Sequence, residues 1–155
     1  MSNVKQVIVM RKKFPDGKGG TFQLRRGKQI AQGAHASMKV LLDMMDISIR
    51  VNYETPPPTS YISKIVVRKL TTGEASIDAI ERWLSGSFTK ICVSVTSEEE
   101  LDLIYLKAKD AGLPCSLIID SGFTEFHGEP TKTCCAIGPA SSEEIDKITG
   151  ELPLL

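Results

Sequence analysis

Two different periods of hydrophobic and polar positions run along this chain, and they predict both strands and helices. Short apolar runs, bounded by polar or glycine-containing stretches, are typical of buried strands. These runs cover residues 6–10, 91–95, 115–119 and 133–137. Between the runs, apolar residues recur at helical spacing after Gly27, from Ala75 to Leu84, after Ser97 and after Ser141. The pattern therefore predicts strands that alternate with helices.

This alternation predicts an α/β fold, because a strand–helix–strand unit forms parallel strands with the helix packed on the sheet. We expect three layers, α/β/α, around a mixed, mainly parallel sheet of four to five strands. The element order also allows an antiparallel pair near the end of the chain. Residues 61–70 are the candidate for an added edge strand, and the prolines within 55–59 predict a loop. Capping boxes at 97–100 and 141–144 open the last two helices.

The helix predicted after Gly27 has one apolar and one polar face. The apolar face is predicted to be buried, and it consists of Ile30, Ala34, Met38, Leu41 and Met45. The polar face consists of Lys28, Gln32, His35 and Lys39. It begins at the helix N-terminus, where unpaired backbone N–H groups favour an anion.

The net charge is zero, which argues against a nucleic-acid-binding surface over the whole protein. The charges are unevenly distributed, however. Within residues 1–40 the only acidic residue is Asp16, and the basic residues are Lys5, Arg11, Lys12, Lys13, Lys18, Arg25, Arg26, Lys28 and Lys39. This basic segment predicts a local positive field for phosphate groups, with a solvated charged loop as the alternative.

The four cysteines, Cys92, Cys115, Cys134 and Cys135, all fall in predicted strands. With no C-x-x-C motif and only two histidines, a zinc site would need an unusual ligand set, so we expect buried reduced thiols and no metal site. No apolar run approaches the roughly 18 residues that span a bilayer, and the N-terminus has no apolar signal region. A cytoplasmic protein without a membrane partner is therefore expected.

Three further segments carry a family resemblance. Residues 27–36 read GKQIAQGAHA, residues 117–124 read LIIDSGFT, and residues 133–139 read TCCAIGP and are followed by IDKITGEL at 145–152. In this order and spacing they resemble the type-2 family of peptidyl-tRNA hydrolases, the archaeal and eukaryotic style. The resemblance covers most of a single domain, residues 1–155, with insertions near 11–24 and 46–76.

The resemblance implies hydrolysis of the ester between a peptide and the terminal ribose of tRNA, without a metal or an organic cofactor. The family's active-site lysine, aspartate and two threonines correspond to Lys28, Asp120, Thr124 and Thr133. Substrate-binding residues are expected at Arg25, Arg26, Gly27, Gln32 and His35. The implied partner is peptidyl-tRNA, and an uncovered helix face leaves a homodimer open.

Ester hydrolysis needs a positioned water and stabilisation of an oxyanion. Asp120 follows a strand end, where open α/β sheets place their sites, and is expected to orient or deprotonate the water. Lys28 is expected to stabilise the oxyanion or to bind the adjacent phosphate, and the two threonines to hold the water or the carbonyl. The alternatives are an Asp120 that only bonds its own turn and a solvated Lys28. His35 is expected to support the site without taking part in the chemistry, and an ordinary helix-face histidine is the alternative.

Departures from the family pattern leave other functions open. Phe123 stands where an arginine is common, Glu125 where a glutamine is, and the first strand and helix are joined by a longer connection. A non-catalytic module for RNA or protein is the main alternative, and it predicts salt-sensitive tRNA binding without turnover, or no tRNA binding if the partner is a protein. Hydrolysis of another aminoacyl or peptidyl ester is a third possibility that a substrate panel distinguishes.

Overall fold

The computed structural model describes residues 3–54, 59–70 and 74–155, with side chains described outside 46–75. The strands are β1 Val4–Arg11, β2 Phe14–Pro15, β3 Thr21–Phe22, β4 Met45–Glu54, β5 Thr59–Leu70, β6 Lys90–Val95, β7 Cys115–Asp120 and β8 Thr131–Ser141. The helices are α1 Arg26–Asp43, α2 Glu74–Ser85, α3 Glu98–Asp110 and α4 Ser142–Thr149. The predicted α/β class is confirmed.

Four strands form the central sheet in the order β6-β1-β8-β7. Strand β1 pairs in parallel with β6, and β8 pairs antiparallel with both β1 and β7. Three strands therefore run in one direction and β8 runs against them. This confirms the mixed sheet and the antiparallel pair near the end of the chain. The C-terminal ends of β1 and β7 and the N-terminal start of β8 therefore lie at the same end of the sheet.

Two apolar cores, one on each face of this sheet, make the fold three-layered. On one face, Val7 and Val9 of β1 pack with Leu101 of α3 and Ile145 of α4. On the other face, Ile8 and Met10 of β1 pack with Ala36 and Val40 of α1 and with Ile80 of α2. Since β1 alternates its side chains between the two cores, it is buried on both faces, as its continuous apolar run predicts.

Residues 61–70 do form a strand, but not an edge strand of the central sheet. They belong to β5, which pairs antiparallel with β4 in a separate two-stranded sheet. The loop predicted at 55–59 lies outside the described residues except for Thr59. A second two-stranded sheet, β2 with β3, is formed by the connection between β1 and α1.

The prediction of the buried face of α1 was wrong. Its buried residues are Gln32, Gly33, Ala36 and Val40, whereas Ile30 is 74% and Met38 57% exposed. Small residues at 33 and 36 let the helix lie close to β1, since a Cβ on Gly33 would be 3.8 Å from the Ile8 side chain. The helix also ends at Asp43, so Met45 begins β4 instead of continuing α1.

The uncovered apolar flank of α1 forms one wall of a groove of about 920 Å³. Ile8 and Met10 form its floor, and Phe88 and Cys92 line its other side. Cys92 is consequently exposed and Cys115 half-buried, so the prediction of four buried thiols holds only for Cys134 and Cys135. Burial raises the pKa of Cys134 to about 12 and also raises that of Cys135.

The two capping boxes open their helices at the predicted positions but differ in detail. Ser97 Oγ accepts a hydrogen bond from the Glu100 backbone N–H, and Glu100 accepts one from the backbone N–H of Thr96. Ser141 precedes α4 without a side-chain capping bond. None of the described helices combines the length and the apolar character needed to cross a bilayer.

Candidate active site

The four residues predicted to be catalytic meet at the end of the sheet where β7 ends and β8 begins. Asp120 is the last residue of β7, and Thr133 lies near the start of β8. Lys28 lies in the first turn of α1, and Thr124 lies in the loop that follows β7. The two antiparallel strands and the N-terminus of α1 therefore supply one common cluster.

Lys28 is the centre of direct contacts in this cluster. Its Nζ lies 2.5 Å from Asp120 Oδ2 and 3.1 Å from Thr124 Oγ1. The side chains of the ion pair are 17% and 11% exposed, for Lys28 and Asp120 respectively. The pair is therefore largely removed from water but still reachable from the surface.

Gln32, one turn after Lys28, connects Asp120 to Thr133. Its Nε2 donates to Asp120 Oδ2 at 2.8 Å, and its Oε1 accepts from Thr133 Oγ1 at 2.5 Å. Thr133 is fully buried. Its hydroxyl therefore lies behind Gln32 and does not open to the surface of the site, unlike Thr124.

Asp120 is a turn residue and a member of the cluster at the same time. Its Oδ1 accepts a hydrogen bond from the backbone N–H of Gly122 at 2.9 Å. Gly122 has φ of +84°, and a Cβ there would lie 2.3 Å from the backbone oxygen of Glu129. Only glycine fits this turn without displacement of the backbone. Asp120 can therefore stabilise its own turn and take part in the polar cluster at the same time.

The surroundings of Asp120 favour its ionised form. Burial alone raises the pKa of this carboxyl. The hydrogen bond and positive charge of Lys28, with the Gly122 N–H and the Gln32 amide, outweigh burial and hold the pKa below its ordinary value. Asp120 is therefore a carboxylate at neutral pH, paired with an ammonium group.

Both charged groups keep capacity for a ligand. An ammonium has three N–H donors, and Lys28 uses two of them on Asp120 and Thr124 among the described residues. A carboxylate offers about four acceptor positions, and Asp120 uses three of them on Lys28, Gln32 and Gly122. The arrangement can therefore hold a water on Oδ1 and a developing negative charge beside Nζ.

The residues predicted to bind substrate lie at different places around α1. Arg25 is exposed, and its Nε donates to Glu125 Oε1 at 2.9 Å. Gly27 is exposed, and a Cβ there would have no atom within 4 Å, so its backbone is open to a ligand. Arg26 lines the groove on the opposite flank of the helix. His35 is exposed, and the described structure gives it no hydrogen bond to the cluster.

The basic N-terminal segment divides into structural and exposed charges. Lys5 pairs with Asp146 and Arg11 with Glu98, each at 2.6 Å. Lys12 and Lys13, which follow the end of β1, and Lys18, in the turn between β2 and β3, are exposed. The predicted positive field therefore comes from fewer charges than the sequence suggests.

An aromatic cluster beside the site was missed by sequence reasoning. Phe126 in the loop after β7 is buried between Phe14 and Phe22, at ring-centroid distances of 5.1 and 5.9 Å. The two partners come from the β2–β3 hairpin, a connection for which the sequence favours a plain flexible loop over a hairpin. A signal was present, because Phe14 and Phe22 flank a glycine-rich turn as a hairpin pair would.

Comparison with known proteins gives consistent matches. A family model described as peptidyl-tRNA hydrolase PTH2 matches residues 4–155. A peptidyl-tRNA hydrolase of Methanocaldococcus jannaschii is 37% identical over 153 residues, which cover 98% of this chain and 100% of the relative. Those of Methanopyrus kandleri and Sulfurisphaera tokodaii are each 36% identical over 152 residues, covering 97% of this chain and 97% and 98% of the relatives.

Proposed function

Because this chain belongs to the PTH2 family of peptidyl-tRNA hydrolases, we propose that the cluster of Lys28, Asp120 and Thr124 cleaves the ester between peptide and tRNA. The observation that carries this proposal is the half-enclosed ion pair of Lys28 and Asp120. A paired ammonium and carboxylate at an accessible sheet edge can act on a water and on a carbonyl oxygen at the same time.

Asp120 binds and orients the attacking water. A carboxylate with a lowered pKa is a weak base, so we assign it the positioning of the water and the electrostatic support of its proton, rather than complete deprotonation before attack. The free acceptor position on Oδ1 is the proposed water site. The water oxygen attacks the ester carbonyl carbon, and its proton leaves toward the carboxylate as the new bond forms.

Lys28 stabilises the negative charge that develops on the carbonyl oxygen. One N–H of Lys28 remains after Asp120 and Thr124 take the other two among the described residues, and we assign it to the oxyanion because Nζ lies 2.5 Å from Asp120, the residue that holds the attacking water. The intermediate then loses the ribose oxygen, which takes up the proton given by the water. Free tRNA and the carboxylic acid of the peptide result, and the acid then releases its proton to bulk water to become a carboxylate. None of these steps requires a metal or an organic cofactor.

The remaining polar residues divide into contact and positioning roles. Thr124 accepts from Lys28, so its own hydroxyl proton can be donated to the substrate carbonyl or to the water. Gln32 and Thr133 are positioning residues, since they act through Asp120. Arg25 and the open backbone at Gly27 are proposed to contact the phosphates near the ester, with Arg26 and His35 further out.

We propose two further properties of this protein, a homodimeric assembly and a cytoplasmic location. The exposed apolar flank of α1, with Ile30 and Met38, favours a homodimer in which a second copy covers the groove. A single monomeric species in analytical ultracentrifugation at 100-fold different concentrations would refute it. We also expect the protein in the cytoplasm, because its substrate arises in translation.

The proposed site is tested by steady-state kinetics of tRNA release with Asp120→Asn and Lys28→Met. Each variant should lower kcat at least 100-fold, the usual effect of losing one transition-state contact. Arg82→Met, which removes a charge at an α2 position away from the cluster, is the control and should keep normal kcat. Normal kcat in both site variants would refute the proposal.

A further inference from the structure

Phe123 is a large apolar side chain in an unusual position. It is 86% exposed, more than any other large apolar side chain that the structure describes. It directly precedes Thr124, whose hydroxyl contacts Lys28. An aromatic ring that no neighbouring side chain covers therefore stands at the rim of the candidate active site.

Backbone hydrogen bonds and one buried aromatic side chain fix the loop that carries Phe123. The Gly122 backbone oxygen accepts hydrogen bonds from the N–H groups of Phe126 and Gly128, at 3.2 and 3.0 Å. Phe126 itself is buried in the aromatic cluster with the β2–β3 hairpin. The loop thus has one aromatic residue inside as an anchor and one outside. A ring on a fixed loop loses little conformational freedom when it binds a flat ligand.

We propose that Phe123 is a stacking platform for the adenine base of the terminal nucleoside of the tRNA. This inference rests on the proposed function, and it adds a recognition site for the nucleoside to the hydrolytic cluster. Stacking on an aromatic side chain needs no hydrogen-bonding partner, and Phe123 offers none.

The chemistry of the substrate favours the base over the peptide as the ligand. The ester is carried by the terminal ribose. The base is attached to the same sugar, so only the ribose ring separates the base from the reacting ester group. Phe123 precedes Thr124 directly, so its exposed ring belongs to the same loop as the hydroxyl that contacts Lys28. The terminal adenine is also common to all tRNAs, whereas the peptide varies in sequence, so a fixed platform for the base serves every substrate.

Arg25 complements this platform for the phosphate of the same nucleotide. Its Nε is held by Glu125, which lies two residues after Phe123 in the same loop. The two terminal nitrogens of the guanidinium remain for a phosphate, which they can bind in a bidentate manner. Base stacking and a phosphate contact would then fix the nucleotide on both sides of the ribose.

The test combines protein variants with a change in the substrate. Phe123→Ala, Phe123→Leu and Phe123→Trp are compared on intact peptidyl-tRNA and on peptidyl-tRNA whose terminal ribose lacks its base. On the intact substrate, Ala and Leu should raise KM roughly tenfold, while Trp keeps it near normal and kcat changes less than twofold. On the abasic substrate, all three variants should equal the wild type. Leu106→Ala, an exposed apolar residue on α3, is the control.

Other outcomes overturn the inference. An unchanged KM in Phe123→Ala excludes the platform, and an equal loss on both substrates assigns Phe123 to the peptide. If the wild type fails to hydrolyse the intact substrate, the proposed function fails separately. Phe123 is then tested by the tryptophan fluorescence of Phe123→Trp, measured as a trinucleotide that ends in adenosine is added. The signal of the wild type, which contains Trp83, is subtracted. Quenching is expected, and its absence overturns the inference.

Discussion

The ammonium nitrogen of Lys28 lies 2.5 Å from Asp120 Oδ2, although 92 positions separate the two residues in the chain. The contact joins the first turn of α1 to the last residue of β7. It places a positive charge at the helix N-terminus, where the helix dipole itself favours an anion. The carboxylate of Asp120 supplies that anion, so each member of the pair accounts for the position of the other.

Removal of the Lys28 charge should raise the pKa of Asp120. In Lys28→Met the carboxylate loses a hydrogen bond and a positive neighbour but stays partly buried, and burial raises the pKa. Carbon-13 NMR titration of the Asp120 carboxyl should give a midpoint below the ordinary 3.8 in the wild type and a higher midpoint in the variant. Equal midpoints would show that Lys28 does not control this carboxyl.

The same shift predicts how stability depends on pH. Because the folded-state pKa of Asp120 is lowered, its ionisation stabilises the fold fully above the ordinary value of 3.8, and this stabilisation is lost as the pH falls through the folded-state pKa. The Tm difference between the wild type and Asp120→Asn should therefore shrink when the pH is lowered from 7 to below 3.8. A difference that stays constant over this range would contradict the shift.

The hydroxyl of Thr133 should matter through Gln32. In Thr133→Val the buried Oε1 of Gln32 loses its donor, which costs about 1–3 kcal/mol of unfolding free energy and leaves the amide free to turn away from Asp120. We expect kcat to fall roughly tenfold, with recovery in Thr133→Ser. Urea unfolding and tRNA release measure the two effects. Thr131→Val, on the same strand, removes only an exposed bond to the Glu129 carbonyl and should change neither quantity appreciably.

Gly122 and Gly128 form a matched pair for testing the loop. Both have positive φ, +84° and +86°, but a Cβ at 122 would meet the Glu129 backbone, whereas one at 128 has open space. Gly128→Ala should cost about 1 kcal/mol of unfolding free energy from backbone conformation alone. Gly122→Ala should cost clearly more and lower kcat, because Asp120 loses its backbone donor geometry. Equal losses in both variants would mean that the loop adjusts freely.

The sequence predicted the elements of the sheet well because their signals are local. The apolar runs that became β1, β6, β7 and β8 are bounded by turn residues and sit at the predicted positions. The four residues that meet in the polar cluster were expected from the family resemblance of three short segments. These features depend on neighbours within a few residues, which a single sequence displays.

Other features could not be read because they depend on distant partners. Gln32 is buried only because Asp120 and Thr133, 88 and 101 positions away, satisfy its amide. Hydrophobic spacing alone does not include these two partners. It therefore favours burial of the large apolar residues Ile30 and Met38 over burial of Gln32, and the wrong face of α1 was predicted to be buried. The burial of Phe126 likewise depends on a hairpin more than 100 residues earlier in the chain. Hydrophobic periodicity does not report such tertiary partners.

The most direct test of the central claim is release of free tRNA from purified peptidyl-tRNA by the wild-type protein and by Asp120→Ala, in the presence of a metal chelator. The variant's fold is checked by circular dichroism. We predict that the wild type turns over in chelator and that the variant loses at least 100-fold in kcat while remaining folded. Turnover by folded Asp120→Ala at the wild-type rate, or loss of wild-type turnover in chelator, would contradict a metal-free hydrolytic site built on Lys28 and Asp120.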